Sequence, residues 1–231
     1  MHFSSSARRV IAQIMVIIAG TAGAVSTAVA QSDQEKLVVA AEKTFDNFLR
    51  DPDMTWIQQN ISRAKALLVA PSILKAGFIF GGSGGRAVLL AADPKTGKWG
   101  GPAFYTLVTG SVGFQAGIEV SEAVMLVMTD KGLNSLLGGS FKLGADVGVA
   151  AGPVGAGAKS SIQSDIVSYS RSKGIYGGLN FDGTSVNSNL EWNQSYYKQA
   201  ASATDILVRA SVSSAHAGKL LAAVTGAAHK K

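Results

Sequence analysis

Two glycine-rich runs in this chain carry three spacings that support chemistry in other folds. Gly81, Ser83 and Gly85 reproduce G-x-S-x-G, the pattern in which a strained strand-to-helix turn exposes a serine nucleophile. A triad also needs a histidine. His2 and His229 lie near the two ends of the chain, which leaves only His216. With 27 glycines in the chain such a match arises cheaply, so 81–85 is read as a flexible glycine turn between two strands. Residues 82–87 scan as a dinucleotide fingerprint, but Asp93-Pro94 ends the next segment too soon for the helix that motif needs, and no acid follows about 20 positions on. In 152–160, Ala158 separates Gly157 from Lys159 and spoils the register of a phosphate loop. No catalytic residue is assigned, and no enzyme activity is expected. A single histidine away from the chain ends and no cysteine leave no basis for a transition-metal site, and no cofactor is expected.

The cations remain. The chain has formal charge +6, too modest to name a partner, yet its distribution is uneven. Residues 33–53 carry Lys36, Lys43 and Arg50 against six acids, whereas 54–118 carry Arg63, Lys65, Lys75, Arg86, Lys95 and Lys98 against Asp93 alone. Such asymmetry predicts one face that favours anions. Arg63, Lys65, Lys75, Arg86, Lys142, Lys159, Arg171 and Lys173 are the candidate anion contacts, several of them beside glycines that let backbone approach a ligand. Two or three of them are expected to dominate; the others read as solvated side chains. Nucleic acid is excluded as a partner by the modest charge and the lack of a recognition motif.

The elements that position these residues follow from periodicity. Leu37, Ala41, Phe45, Phe48 and Leu49 recur at helical spacing with charges between them, an amphipathic helix over 34–50. Asp51-Pro52-Asp53 stops it and starts a second helix, on which Met54, Ile57, Ile61, Ala64 and Leu68 repeat, ending by Ala70 before Pro71. Beyond Pro71, 23 of the 27 glycines fall within 77–183. Helices do not sustain that density, so this stretch is read as sheet and turns. Residues 123–128 form a continuous apolar block, a strand covered on both faces. Alternation over 141–149 predicts a half-buried strand, and 175–181 before Asp182-Gly183 predicts a hairpin. A short helix is expected at 131–137, and a further one from Glu191 through Leu207 closing over the sheet. The fold class is α+β: an N-terminal helix pair, a glycine-rich, mainly antiparallel sheet, open or closed into a barrel, and a C-terminal helix packed on it.

Residues 1–30 read as a signal peptide: Arg8-Arg9, an apolar stretch to about Val25, and the A-x-A site Ala28-Val29-Ala30. Gly20, Thr21 and Gly23 leave the stretch short of the roughly 20 apolar residues of a span. The expected organisation is a signal peptide (1–30), one domain (31–210) and an Ala/Ser-rich tail (211–231) that is either a further helix or frayed. Without cysteine there is no disulfide framework, so packing alone must hold the domain together.

Four ordered blocks carry a resemblance: RAKALLVAPSILKAGFIFGGSGG (63–85), GPAFYTLVTGSVGFQAGIEVSEAVMLVMTDKGLNSLL (101–137), FKLGADVGVAAGPVGAGAKS (141–160) and YSRSKGIYGGLNFDG (169–183). Together they resemble the SYLF domain, over roughly 35–210. The resemblance implies a phospholipid-binding module. The signal peptide would place this member in the bacterial periplasm, peripherally attached to membrane, where anionic phospholipids are the available headgroups. An envelope protein partner, with lipid affinity incidental, is the alternative. Arg63, Lys65, Lys75 and Arg86 are expected to converge on one edge of the domain as its membrane face, while the acidic first helix docks on the sheet.

Overall fold

The computed structural model describes residues 31–77, 80–112, 117–155, 162–172, 175–176 and 181–229. The expected signal peptide, Lys159 and Lys173 lie outside them. Residues 32–231 form one compact unit.

Helix α1 (Asp33–Arg50) begins on a reciprocal cap: Glu35 N donates to Ser32 Oγ (3.3 Å) and Ser32 N donates to Glu35 Oε2 (2.8 Å). Two otherwise unsatisfied amides are thereby paired at its first turn. Val38, Ala41, Phe45 and Phe48 form its buried stripe. A 3₁₀ turn at Pro52–Met54, α2 (Thr55–Asn60) and a second 3₁₀ turn (Ile61–Arg63) follow. The helical segment was expected to run on to Ala70; it stops at Arg63, and β1 (Ala66–Gly77) starts three residues later. A short apolar run satisfies either period, and what decides here is burial on both faces, which 66–70 obtain inside a sheet. Pro71 lies within β1, where the pairing slips on both sides, between Val69 and Ser72 and between Ala70 and Ile73. A bulge is where a strand accommodates a residue with no N–H to donate.

Strands β2 (Phe80–Ala92), β3 (Trp99–Val112) and β4 (Gly117–Val127) are similar in length to β1. Gly81–Gly85 is therefore strand, correcting the expected glycine turn. The reason is local: a Cβ on Gly85 would lie 2.5 Å from the carbonyl oxygen of Ser72 at the bulge, so only glycine lets β2 stay paired there. Helix α3 (Asp130–Leu137) matches its expected span, capped by Thr129.

The strand expected over 141–149 is broken into β5 (Ser140–Lys142) and β6 (Val149–Ala151). Between them Gly144 takes φ +81°, Lys142 N donates to Asp146 Oδ2 (2.8 Å), and Asp146 N donates to Lys142 O (2.9 Å). Of the five residues predicted to face inward, Phe141, Leu143 and Val147 are buried and Val149 half-buried, whereas Ala145, in the turn, is exposed. A turn hidden inside an alternating pattern breaks the strand and turns one of its inward residues out to solvent.

Strands β7 (Ile166–Ser172), β8 (Ile175–Tyr176) and β9 (Ser185–Ser188) complete one sheet, ordered β5-β9-β3-β2-β1-β4-β7-β6, with β8 added to β7. All pairings are antiparallel except β6 with β7. The two ends of this order, Lys142 and Val149, are seven residues apart in the chain, a reach of at most about 25 Å. Eight strands laid flat would separate the edges by about 33 Å, so the sheet must curl. Asp165, just before β7, ties the end of β4 and the start of β6 to it, accepting from Thr129 Oγ1 (2.6 Å) and Gly148 N (3.0 Å). The Thr129 hydrogen bond above all holds its carboxyl below the usual aspartate range.

Alternate residues of the central strands feed two cores. Ala66, Leu68, Leu89, Tyr105 and Met125 point inward with Leu136 of α3. Leu67, Val69, Leu90, Phe104 and Leu126 point outward beneath α1 and α2. The expected C-terminal helix is two, α4 (Leu190–Tyr197) and α5 (Ala203–Leu207), divided where Lys198 takes a left-handed φ of 59°. The Ala/Ser-rich tail carries α6 (Gly218–His229), whose Leu220, Val224 and Ala227 join the outer core.

Gly152 lies against Tyr169 so closely that a Cβ would fall inside the ring. Gly152→Ala is expected to cost about 1–3 kcal/mol in urea unfolding, the usual range for overpacking. At Gly84 a Cβ meets nothing nearer than 3.7 Å, so Gly84→Ala should stay within about 0.5 kcal/mol of wild type. Equal costs at the two positions would contradict the packing described here.

Candidate functional site

The predicted cations are dispersed by the fold. Arg63 is exposed in its 3₁₀ turn and donates to Asn60 Oδ1 (3.2 Å). Lys65 pairs with Asp130 at 2.8 Å. Lys75 stands ten residues further along β1 than Lys65, about 33 Å away at the rise of a strand. The expected convergence of Arg63, Lys65, Lys75 and Arg86 on one edge is not found, because 66–70, expected as the end of a helix, is strand, and 81–85, expected as a turn, continues β2. A strand also alternates faces: Lys75 follows the inward set with Ile73, whereas Arg86 follows the outward set with Val88. Lys142 is exposed on β5, at one end of the strand order.

Arg171 is a structural clamp. Its guanidinium pairs with Glu122 on the neighbouring strand (Nε to Oε1, 2.7 Å), approaches Asp51 Oδ2 (3.9 Å) and lies over the Phe48 ring at 5.3 Å. Thr44 Oγ1 donates to the other oxygen of Glu122 (2.9 Å). The network ties α1 and the following corner to β4 and β7. Its charge is consumed within the domain.

Ser83 sits within β2, paired with Lys75 and Thr109. There is no strand-to-helix turn to expose it, and the nucleophile-elbow spacing has no structural counterpart. Among the described residues no group of three or more His, Cys, Asp or Glu is placed to hold a metal ion.

Sequence reasoning missed a different feature. At the far ends of β1–β4, where the helices cover the outer face only in part, the sidedness of the sheet is inverted. Leu74, Val108, Val120 and Ile118 face outward and are 50%, 51%, 50% and 75% exposed. Leu74 is in register with Val120 on one side and Gly84 on the other, and Gly84 with Val108, so three of the four lie in one row across four strands. The inward set at this end is polar: Lys75, Ser83, Thr109, Glu119 and Ser121. Thr109 and Thr184 share a 2.7 Å hydrogen bond, and Ser121 Oγ donates to Glu119 Oε1 (3.3 Å). The signal was present in the alternation of residues 117–121, but alternation alone leaves open which face is core.

Beside this row lies a cleft of about 590 Å³ between α1 and the outer face of β1–β3. Leu37 and Ala40 line it from the helix, Leu74 and Val108 from the sheet, and Arg86 and Trp192 also border it. Arg86 lies over the Trp192 ring, 4.2 Å from its centroid. Helix α4 is fixed in turn by Phe104 N donating to Asn193 Oδ1 (2.8 Å) and by edge contact of Trp192 with Phe104 at 5.9 Å. No helix among the described residues is long and apolar enough to cross a membrane.

Comparison with known proteins gives a family match over residues 108–227, to the model described as Ysc84, Las17-binding protein actin regulator. SH3 domain-containing YSC84-like protein 1 of Bos taurus is 32% identical over 161 residues, 68% of this chain and 47% of that protein. Its Homo sapiens counterpart is 31% identical over 161 residues, covering 68% and 46%. LAS seventeen-binding protein 3 of Saccharomyces cerevisiae (strain ATCC 204508 / S288c) is 32% identical over 154 residues, covering 64% and 33%. The chain thus spans less than half the length of these relatives.

The two kinds of cation separate in a stability measurement. Arg171→Gln strands Glu122 and is expected to cost about 2 kcal/mol in urea unfolding. Arg86→Gln loses only an exposed ring contact and should cost less than about 1 kcal/mol. A larger loss at Arg86 than at Arg171 would reverse the assignment of structural and available charge.

Proposed function

The chain belongs to the Ysc84 (SYLF) family, and on that premise we propose that it is an exported, non-enzymatic, peripheral lipid-binding protein. The observation that carries this reading is the inverted far end of the barrel, with an aliphatic rim outside and polar residues within. Water-facing aliphatic side chains gain free energy when a membrane interface covers them, on the order of 1.5–3 kcal/mol for each fully buried residue. Here the rim residues are already half covered, so each contributes a fraction of that. Ile118 lies four residues beyond Glu122 along β4, about 13 Å of strand, comparable to the roughly 5–10 Å to which interfacial elements sink.

Anionic lipids add to this through cations at the same end. Arg86 is exposed on the outer face and Lys75 half-buried on the inner one; a cation near an anionic surface contributes about 1 kcal/mol. Arg63 and Lys65 belong to the opposite end of β1 and have no part in this face. In this reading residues 1–30 are removed on export, and the protein works in the bacterial envelope at a periplasmic membrane surface.

A second reading is favoured by the family description and by the yeast relative's name, both of which refer to binding a protein, Las17. Here the rim would be covered by an envelope protein and lipid affinity would be incidental.

Vesicle co-sedimentation of residues 31–231 tests the first reading; both cores lie within this segment. More protein is expected to pellet with anionic than with neutral vesicles. Ile118→Asp combined with Val120→Asp should reduce pelleting several-fold, and Arg63→Glu with Lys65→Glu should change it less than twofold. Equal effects from both pairs would mean that net charge governs attachment and the rim does not. Pelleting with neither vesicle type, together with protein cross-links formed in cells from position 118, would establish the partner reading instead.

A further inference from the structure

We infer that the cleft between α1 and the outer face of β1–β3 is a binding site for one anionic amphiphile, its acyl chain lying along the aliphatic walls and its head against Arg86. This rests on the lipid reading above and deepens it, from a surface that meets a bilayer to a site that holds a single molecule.

The first argument is charge. Among the described residues Arg86 has no carboxylate within ion-pair distance, while the other charged groups of the cleft, Asp33 and Lys36, satisfy each other at 3.0 Å. One uncompensated guanidinium therefore borders a cleft walled by Leu37, Ala40, Leu74 and Val108. Trp192 holds it from below, which fixes its position without neutralising it. A ligand complementary to this arrangement has one anionic end and an apolar body. The second argument is size: about 590 Å³ falls within the usual range for small-molecule sites, roughly 300–1,000 Å³.

The third argument excludes an extended peptide. The strands under the cleft, β1, β2 and β3, each have a neighbour on both sides in the sheet, so they offer no free edge for backbone pairing. A buried peptide would bring an amide and a carbonyl with every residue and leave them unpaired. An acyl chain brings neither. Gly84 supplies the floor: it is in register with the outward-facing Leu74 and Val108, and a Cβ there would meet only the Leu107 carbonyl oxygen, at 3.7 Å.

The test uses residues 31–231 and oleoyl lysophosphatidic acid below its micelle concentration, read by isothermal titration calorimetry. Binding of one molecule per chain is expected. Gly84→Leu should fill the floor and weaken binding at least tenfold, and Ala40→Phe should do the same from the helix side should Gly84→Leu fail to fold. Arg86→Gln should weaken it about tenfold and remove the preference over oleoyl lysophosphatidylcholine. Inorganic phosphate alone should not bind. Wild-type affinity in folded Gly84→Leu and Ala40→Phe, or phosphate binding as tightly as the amphiphile, overturns the inference. Vesicle pelleting of the same variants separates the two proposals. Gly84→Leu that pellets normally but no longer takes the amphiphile supports both. An Ile118→Asp, Val120→Asp protein that pellets normally while wild type still binds the amphiphile overturns only the rim.

Discussion

The architecture depends on burying the middle of the sheet from both sides. In β1, Ala66, Leu68 and Ala70 enter the inner core while Leu67 and Val69 enter the outer one, and β2, β3, β4 and β7 follow the same alternation. Neither face suffices alone. The inner face is covered because the sheet curls over itself and takes in Leu136, Ile206 and Leu207; the outer face is covered because α1, α2 and α6 lie on it. With no disulfide or metal cluster among the described residues, these two apolar layers and the hydrogen bonds of Asp165 supply the cohesion. The Arg171–Glu122 clamp belongs with them, since it joins α1 to the strands at the border of the outer core.

The helices cover only part of the outer face. Strands of 11–14 residues reach about 35–45 Å, and α1 spans about 27 Å at the rise of a helix. Past the helices the alternation continues but its meaning reverses: side chains that would have met Phe45 or Ile57 meet solvent. That aliphatic residues persist there, and polar ones turn inward, distinguishes this end from an ordinary solvated sheet, whose exposed face is polar. The cleft lies on the boundary, where α1 still overhangs the strands and Arg86 rests on Trp192.

The family match runs from Val108 to Ala227 and so includes β4, α3, Asp165, the clamp strand β7 and the C-terminal helices. The curated relatives extend the similarity over about two thirds of the chain. Since they are more than twice as long as the matched stretch, what the chain shares with them is the domain described here. Features that hold this domain together, such as Asp165 and Gly152, lie inside the matched region; Arg86 and Leu74, which border the cleft, lie before it.

The sequence by itself determined the layer composition. The α1 stripe, the strand at 123–128, the helix at 131–137 and the glycine-rich sheet are legible because periodicity and glycine density depend only on neighbours along the chain. It also showed the G-x-S-x-G spacing at 81–85 to be a cheap match in a chain of 27 glycines. Only the tertiary structure decided the rest. Whether 66–70 continued a helix or became β1 turned on burial from both sides, which a short apolar run does not encode. The separation of Lys65 from Lys75, and of Lys75 from Arg86, followed from that choice, because a strand doubles the rise of a helix and alternates its faces. The capture of Arg171 by Glu122 required β7 to lie beside β4, 49 residues away in the chain. The outward turn of Ile118 and Val120 was set by the register of β4 on β1, and register is a property of two strands, not of one.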